Sequence, residues 1–247
     1  MDARVVGVDV GSVALGRFAW AALDTPALSV AGQGSDPEGA VQSLVAGLGA
    51  DRRAALVLEA PMSVPVPATD RADGWSALGR ARAGEGNRPW SAGAGAGVLA
   101  TGVAQAAWML GRLADAAPGT TVTTRPERWT APHGPRLLVA EALVSGTGKP
   151  VPTAAGPHAA DAEAACRALA ERLRRPSDLA SDVRCAPHRP FNLVAAATLW
   201  AGLDIAADEL HQDVLVVRAR PVRVDADQDR TATTVGPFGP VRDPGDG

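Results

Sequence analysis

The chain has 247 residues, of which 46% are hydrophobic and 21% are charged, and its formal net charge is -3. This is the composition of a soluble globular protein that is long enough to bury a sizeable core. A protein that binds long nucleic acid usually carries a surplus of positive charge. The negative net charge excludes a globally basic nucleic-acid-binding protein, and only a local basic patch could serve that purpose.

Cysteine usage and the absence of targeting patterns predict a cytoplasmic protein. Cys166 and Cys185 form neither a disulfide framework nor a metal motif, which favours reduced cytosolic thiols. The opening residues MDARVVGVDV have no basic stretch followed by an apolar run, so we expect no signal peptide. No segment approaches about 18 uninterrupted apolar residues, and we therefore expect no membrane span and no membrane partner.

The first sixty residues predict three strands, a helix and a fourth strand. Residues 4–10 are apolar and rich in valine, which is typical of a strand buried on both faces. Strands at 17–23 and 28–32 follow after short breaks that suit antiparallel hairpins. Asp36 can cap a helix that begins with Pro37. Residues 54–60 then predict another buried strand, which gives the order β-β-β-α-β.

The rest of the chain begins with a long insertion at 61–97, which we expect to be irregular, and loops of this length are often functional. A single domain is predicted over residues 1–221, with Trp108 and Trp200 in its core. From 222 to 247 the polar composition predicts a disordered tail. Between the insertion and the tail we expect helices at 98–116, 157–174 and 191–203, and strands at 136–144 and 213–219.

Two of the predicted strands carry an acid at their end. The segments are Gly7-Val8-Asp9-Val10-Gly11-Ser12 and Val57-Leu58-Glu59-Ala60-Pro61. A carboxylate in a buried strand is costly unless it is paired or binds a metal. The alternatives are an Asp9 satisfied by neighbouring amides and a Glu59 at the surface. If the two strands are neighbours, the carboxylates lie side by side, and a cation between them relieves their repulsion.

A third acid lies near the start of a late helix. His158 and Asp161 are three residues apart and share one helix face, and Asp161 borders the apolar stripe that faces the sheet. The alternative is a capping interaction with the helix dipole. Together, the three acids can converge on one or two Mg²⁺ or Mn²⁺ ions, which prefer oxygen ligands. Such a site can hydrolyse phosphodiesters.

These motifs resemble the RNase H-like superfamily. The segments GVDVGSVALGRFAWAAL, VLEAP and HAADAEAA carry the resemblance, which is strongest to the Holliday-junction resolvase branch and to an uncharacterised bacterial family described as predicted RNase H-like nucleases. The resemblance implies an α/β fold with a mixed sheet in β-β-β-α-β-α-β-α order and flanking helices. It also implies that Asp9, Glu59 and Asp161 are catalytic metal ligands, with His158 as a fourth ligand.

Further residues are predicted to contact the substrate. Arg88 and Trp90 lie in the insertion, where with Arg80 and Arg82 they suit a cationic, stacking lip for a single strand, although a solvated loop is the alternative. The loop around Lys149 mimics a phosphate-binding loop, but Pro150 replaces the Ser or Thr that a P-loop needs. The predicted substrate-binding residues are Ser12, Arg88, Trp90 and Lys149.

The sequence therefore predicts a divalent-metal-dependent nuclease or phosphodiesterase that uses Mg²⁺ or Mn²⁺ and has nucleic acid as its partner. Two alternatives remain. One is a degenerate, non-catalytic, partner-binding protein on the same fold. The other is a small-molecule phosphotransferase of the actin/hexokinase-like type, which shares the first-strand motif. The phosphotransferase also needs a second Asp-x-Gly loop and a late Gly-Gly motif, and neither is found.

Overall fold

The structure is a computed structural model that describes residues 1–49, 52–68, 74–86, 89–175 and 179–220. The predicted tail from 222 onward lies outside these residues. The first half contains β1 (Ala3–Asp9), β2 (Ala19–Thr25), β3 (Ser29–Gly34), α1 (Pro37–Leu48), β4 (Arg53–Glu59), β5 (Ser63–Val66) and α2 (Gly93–Ala116). The second half contains β6 (Val122–Thr123), α3 (Pro126–Thr130), β7 (Leu137–Leu143), α4 (Pro157–Leu173), β8 (Arg189–Asn192), α5 (Leu193–Trp200) and β9 (Val216–Arg218).

Seven strands form one mixed sheet in which β3, β2, β1, β4 and β7 are successive neighbours, and β6 and β9 both pair with β7. The pairs β1–β2 and β2–β3 are antiparallel, whereas β4 is parallel to both β1 and β7. The predicted α/β class with a mixed sheet is confirmed, and the chain opens with the expected β-β-β-α-β succession. Strands β5 and β8 pair with each other in a separate sheet.

The alternation of side chains along β1 divides the protein into two cores. Val6 and Val8 belong to the core formed with α1, α2 and α5. Val5 points the other way, into the core formed with α4. Because side chains alternate along a strand, Asp9 lies on the same face as Val5 and looks toward α4.

Helix α4 approaches β1 at Gly7, where no side chain fits. A Cβ atom at Gly7 would lie 2.4 Å from the carbonyl oxygen of Ala162 and 2.6 Å from the backbone nitrogen of Cys166. This close packing of the two backbones brings the first turns of α4 against the end of β1. Gly7 therefore sets the distance between Asp9 and Asp161.

Replacing Gly7 by alanine is expected to lower the free energy of unfolding by about 1–3 kcal/mol, because the added methyl group forces the helix and strand apart. Chemical denaturation followed by circular dichroism measures the change. Gly97→Ala is the matched control: Gly97 is an exposed residue of α2 whose Cβ would meet nothing within 4 Å. An equal loss in the two variants would show that the α4–β1 packing is not the cause.

The insertion at 61–97 is more ordered than its composition predicts. It contributes β5, a 3-10 turn at Gly74–Ala77, and the first turn of α2, which begins at Gly93 rather than at 98. A Cβ at Gly95 would lie 2.2 Å from the carbonyl oxygen of Pro89. The glycine-rich run is thus the start of a helix packed closely against the preceding loop.

Two tryptophans that the sequence places in the core lie at the surface instead. Trp108 is 44% exposed and Trp200 is 74% exposed. The apolar stripe of α2 runs through Ala106, Leu110 and Leu113, and position 108 lies off this stripe. Among the described residues, α2 alone is long and apolar enough to cross a membrane by length and composition. Its buried stripe packs into the core, and 28% of its most apolar 18-residue window is buried.

Candidate functional site

Three carboxylates converge at one edge of the main sheet. Asp9 and Glu59 end the parallel neighbours β1 and β4, and they are paired in register. Asp161, near the start of α4, faces them across the Gly7 contact. Each of the three residues offers one oxygen, and these oxygens lie within 4.8 Å of one another. The structure therefore brings together the three acids that the sequence singled out.

Two of the three carboxylates have a nitrogen partner and the third has none. His158 Nδ1 is hydrogen-bonded to Asp9 Oδ2 at 2.6 Å. Lys149 Nζ donates to Asp161 Oδ2, also at 2.6 Å, and Lys149 is the only lysine in the chain. Glu59 Oε2 is buried without a hydrogen-bond partner among the described residues. A buried polar atom in this state needs an explanation, such as a bound ion.

The electrostatics of the cluster favour uptake of positive charge. Burial, together with the nearby carboxylates of Asp9 and Asp161, raises the pKa of Glu59 to about 9. Burial also raises the pKa of Asp9, although the hydrogen bond from His158 opposes this effect. The hydrogen bond to Asp161 raises the pKa of Lys149. Near neutral pH, Glu59 therefore holds a proton that a cation could replace.

The residues present fit a hard divalent cation. All three converging donors are carboxylate oxygens, which Mg²⁺ and Mn²⁺ prefer, and the unpartnered Glu59 oxygen supplies a free ligand atom. His158, the predicted fourth ligand, is not part of the converging group. The structure places it as the hydrogen-bond partner of Asp9, an arrangement that orients the carboxylate.

The cluster opens into a pocket of about 200 Å³, which we call the acidic pocket. Pockets for drug-sized ligands usually measure about 300–1,000 Å³, so this one has room for a small group such as a phosphodiester. Lys149 and His158 line the pocket beside the three acids. The start of α2 and the side chains of Arg82, Glu85 and Glu141 also line the pocket.

Arg82, Glu85 and Glu141 form a buried ion network at the pocket, and sequence reasoning missed it. Arg82 donates from both terminal nitrogens to Glu141, each at 2.7 Å, and one of them also donates to Glu85 at 2.9 Å. All three side chains are only 1% exposed. The expected position of Arg82 in an exposed cationic lip is therefore wrong, because two carboxylates hold it inside. Glu141 in the middle of apolar β7 was the signal available in the sequence, since it is a buried strand acid like Asp9.

The predicted substrate-binding residues are separated in the structure. Lys149 lines the acidic pocket. Ser12 lies in the loop after β1, where its hydroxyl accepts a hydrogen bond from the backbone nitrogen of Leu15, and it does not line the pocket. Trp90 donates from its indole nitrogen to the carbonyl oxygen of Arg80. Arg88 lies outside the described residues.

Comparison with known proteins gives no relative: no protein-family model, no curated protein and no solved structure matches the chain. A functional assignment must therefore come from the chemistry of the site itself.

Proposed function

We propose that this protein is a divalent-metal-dependent phosphodiesterase of the RNase H-like type that acts on nucleic acid. The observation that carries the proposal is the convergence of Asp9, Glu59 and Asp161, with one buried carboxylate oxygen left unpartnered. The sheet supports the RNase H-like type, because the acids end two adjacent parallel strands and the third lies on a helix packed across them.

In this proposal the three carboxylates hold one or two Mg²⁺ or Mn²⁺ ions. A bound ion would stabilise the negative charge that develops on the phosphodiester and lower the pKa of a water molecule. The ammonium of Lys149 lies in the pocket wall, where it can donate a charge-assisted hydrogen bond to a phosphate oxygen. Asp9 orients the ring of His158, whose Nε2 is left to transfer a proton from the attacking water or to the leaving oxygen.

The test is a cleavage assay with the full-length protein on labelled single-stranded DNA, duplex DNA, RNA, an RNA–DNA hybrid and a four-way junction. We expect cleavage of at least one substrate with Mg²⁺ or Mn²⁺ and none with EDTA. Asp9→Asn should lower the rate by at least about 100-fold, because it removes charge at the reacting centre. Asp115→Asn, which alters an exposed acid of α2 that pairs with Arg112, should keep the wild-type rate.

Equal cleavage by Asp9→Asn and the wild type would trace the activity to a contaminant or to another site, and would refute the proposal. The two variants differ in one respect that matters: Asp9 lines the acidic pocket and Asp115 does not. Thermal melting of each variant separates a loss of chemistry from a loss of fold.

One contact favours a second candidate, a non-catalytic binding protein on a degenerate site. Lys149 lies 2.6 Å from Asp161, so the cluster already contains a positive charge supplied by the chain. On this alternative the ammonium takes the place of an ion. The two candidates differ in a measurable property, which is whether the acids bind a divalent cation.

A further inference from the structure

A concave surface rich in arginine lies beside the C-terminal end of α4. The chain after α4 and the end of β9 contribute to it, and it encloses about 430 Å³. Glu171 is the one acid that lines this cavity among the described residues. The five cations that line it are Arg172, Arg174, Arg175, Arg218 and Arg220.

A third cavity lies between this one and the acidic pocket and shares lining residues with both. A cavity of about 690 Å³ along α4 shares Arg220 and Glu171 with the arginine-lined cavity, and it shares Lys149 with the acidic pocket. We call the two adjoining cavities along α4 the arginine groove. From Asp161 to Leu173 the helix spans about 18 Å at a rise of 1.5 Å per residue. The groove is therefore long enough to follow several phosphates of one strand.

Part of the positive charge in the arginine groove is already neutralised. Arg172 forms an ion pair with Asp182, and Arg167 pairs with Glu163 at 2.8 Å. Arg218 donates to the carbonyl oxygen of Gly84.

The remaining charge is available to a ligand. Arg174, Arg175 and Arg220 are exposed, and no carboxylate of a described residue pairs with them. Guanidinium groups bind phosphate through paired hydrogen bonds and are only weakly hydrated, so they favour such a ligand. In a chain with a net charge of -3, this is a local basic patch of the kind that phosphate binding requires.

We propose that the arginine groove binds the phosphate backbone of a single nucleic-acid strand that leaves the acidic pocket past Lys149 and follows α4 toward its C-terminal end. This proposal rests on the proposed function for what happens in the pocket, and it adds the path of the substrate. Contacts to phosphates carry no sequence information, so binding along the groove is independent of base sequence.

Fluorescence anisotropy of a short fluorescein-labelled single-stranded DNA, titrated with the full-length protein in EDTA, tests the groove without hydrolysis. We expect the double variant Arg174→Ala/Arg175→Ala to bind roughly tenfold more weakly at low salt. The slope of log affinity against log salt concentration should become shallower by about 1.4, since each phosphate contact on a single strand contributes about 0.7. Arg174→Lys/Arg175→Lys keeps the charge and should retain most of the affinity.

The matched control is Arg112→Ala/Arg189→Ala, which removes two arginines from outside the groove and should leave both affinity and slope unchanged. Thermal melting of every variant shows that it is folded. Unchanged binding by Arg174→Ala/Arg175→Ala would overturn the proposal. Stronger binding of polyglutamate or of phosphatidylserine vesicles than of DNA would also overturn it, in favour of an acidic peptide or a membrane surface.

The assay separates this proposal from the proposed function. Weakened binding by the double variant, in a protein that cleaves no substrate, would support the groove and count against hydrolysis. Metal-dependent cleavage by a protein whose double variant binds normally would support hydrolysis and refute the groove.

Discussion

Replacing Arg82 by methionine is expected to lower the free energy of unfolding by about 3–5 kcal/mol, since removal of one partner leaves buried charge uncompensated. Glu85 and Glu141 both contact the Arg82 guanidinium, and all three side chains are almost fully buried. Burial lowers the pKa of Arg82, but the charges and hydrogen bonds of Glu141 and Glu85 outweigh this effect and raise the pKa, so the arginine remains charged. Methionine keeps much of the side-chain volume, and the variant therefore isolates the loss of charge.

Guanidinium chloride unfolding, followed by circular dichroism, measures this effect. The control is Arg112→Met, which breaks an exposed ion pair with Glu38 and should change the free energy of unfolding little. The triple variant Arg82→Met/Glu85→Gln/Glu141→Gln should recover part of the loss, because it removes the stranded charges. A loss in Arg82→Met no larger than that in the control would mean that the buried network contributes little to stability.

Mn²⁺ is expected to raise the melting temperature more at pH 8 than at pH 6. A carboxylate must lose its proton to bind a metal, and the pKa of Glu59 is raised to about 9, so metal affinity increases with pH. At an ion concentration 100 times the Kd, binding adds about 2.7 kcal/mol of stability. For a domain of this size, that corresponds to about 5–10 °C in differential scanning fluorimetry.

Without metal, the same carboxyl group makes stability fall as the pH rises. The ordinary pKa of Glu59 is 4.5 in the unfolded chain and its folded value is about 9. Between these values the folded state holds a proton that the unfolded state has lost, so folding becomes less favourable with increasing pH. In EDTA, Glu59→Gln should therefore have a flatter stability profile between pH 5 and pH 9 than the wild type.

The Mn²⁺-dependent shift in melting temperature decides between the catalytic and the non-catalytic candidates. Glu59→Gln should lose most of this shift, whereas Asp115→Asn should keep it. If Lys149 only replaces an ion, then Lys149→Ala should be destabilised in EDTA, and the wild type should show no shift with Mn²⁺ at any pH. That result would favour the degenerate site and contradict the metal-dependent one.

Local patterns predicted the elements that hold the candidate site. Asp36 caps α1 by accepting a hydrogen bond from the backbone nitrogen of Gly39, as the Asp-Pro pair indicates. The apolar runs that end at Asp9 and Glu59 became adjacent parallel strands, and the spacing of His158 and Asp161 placed both residues at one face of α4. These features follow from the neighbouring residues along the chain, because capping and periodicity act within a few positions.

Three strands of two to four residues, β5, β6 and β8, were not predicted, since so short a segment shows no periodicity. β6 and β8 are strands of this kind, and they form because a partner strand supplies hydrogen bonds. The surface positions of Trp108 and Trp200 also depend on how the helices pack, and the hydrophobicity of a residue alone does not predict which face of a helix is buried.

By itself, the sequence determined which acids end buried strands and which helix carries the third. Only the tertiary structure decided what surrounds them: Glu141 neutralises Arg82 from 59 positions away, and arginines from α4 and β9 line one groove. The physical reason is that the residue type of an arginine does not show whether its side chain is solvated or buried in an ion pair. Its role depends on which carboxylates folding brings next to it and on which phosphates bind there. The separation of residues along the chain does not show which groups become neighbours.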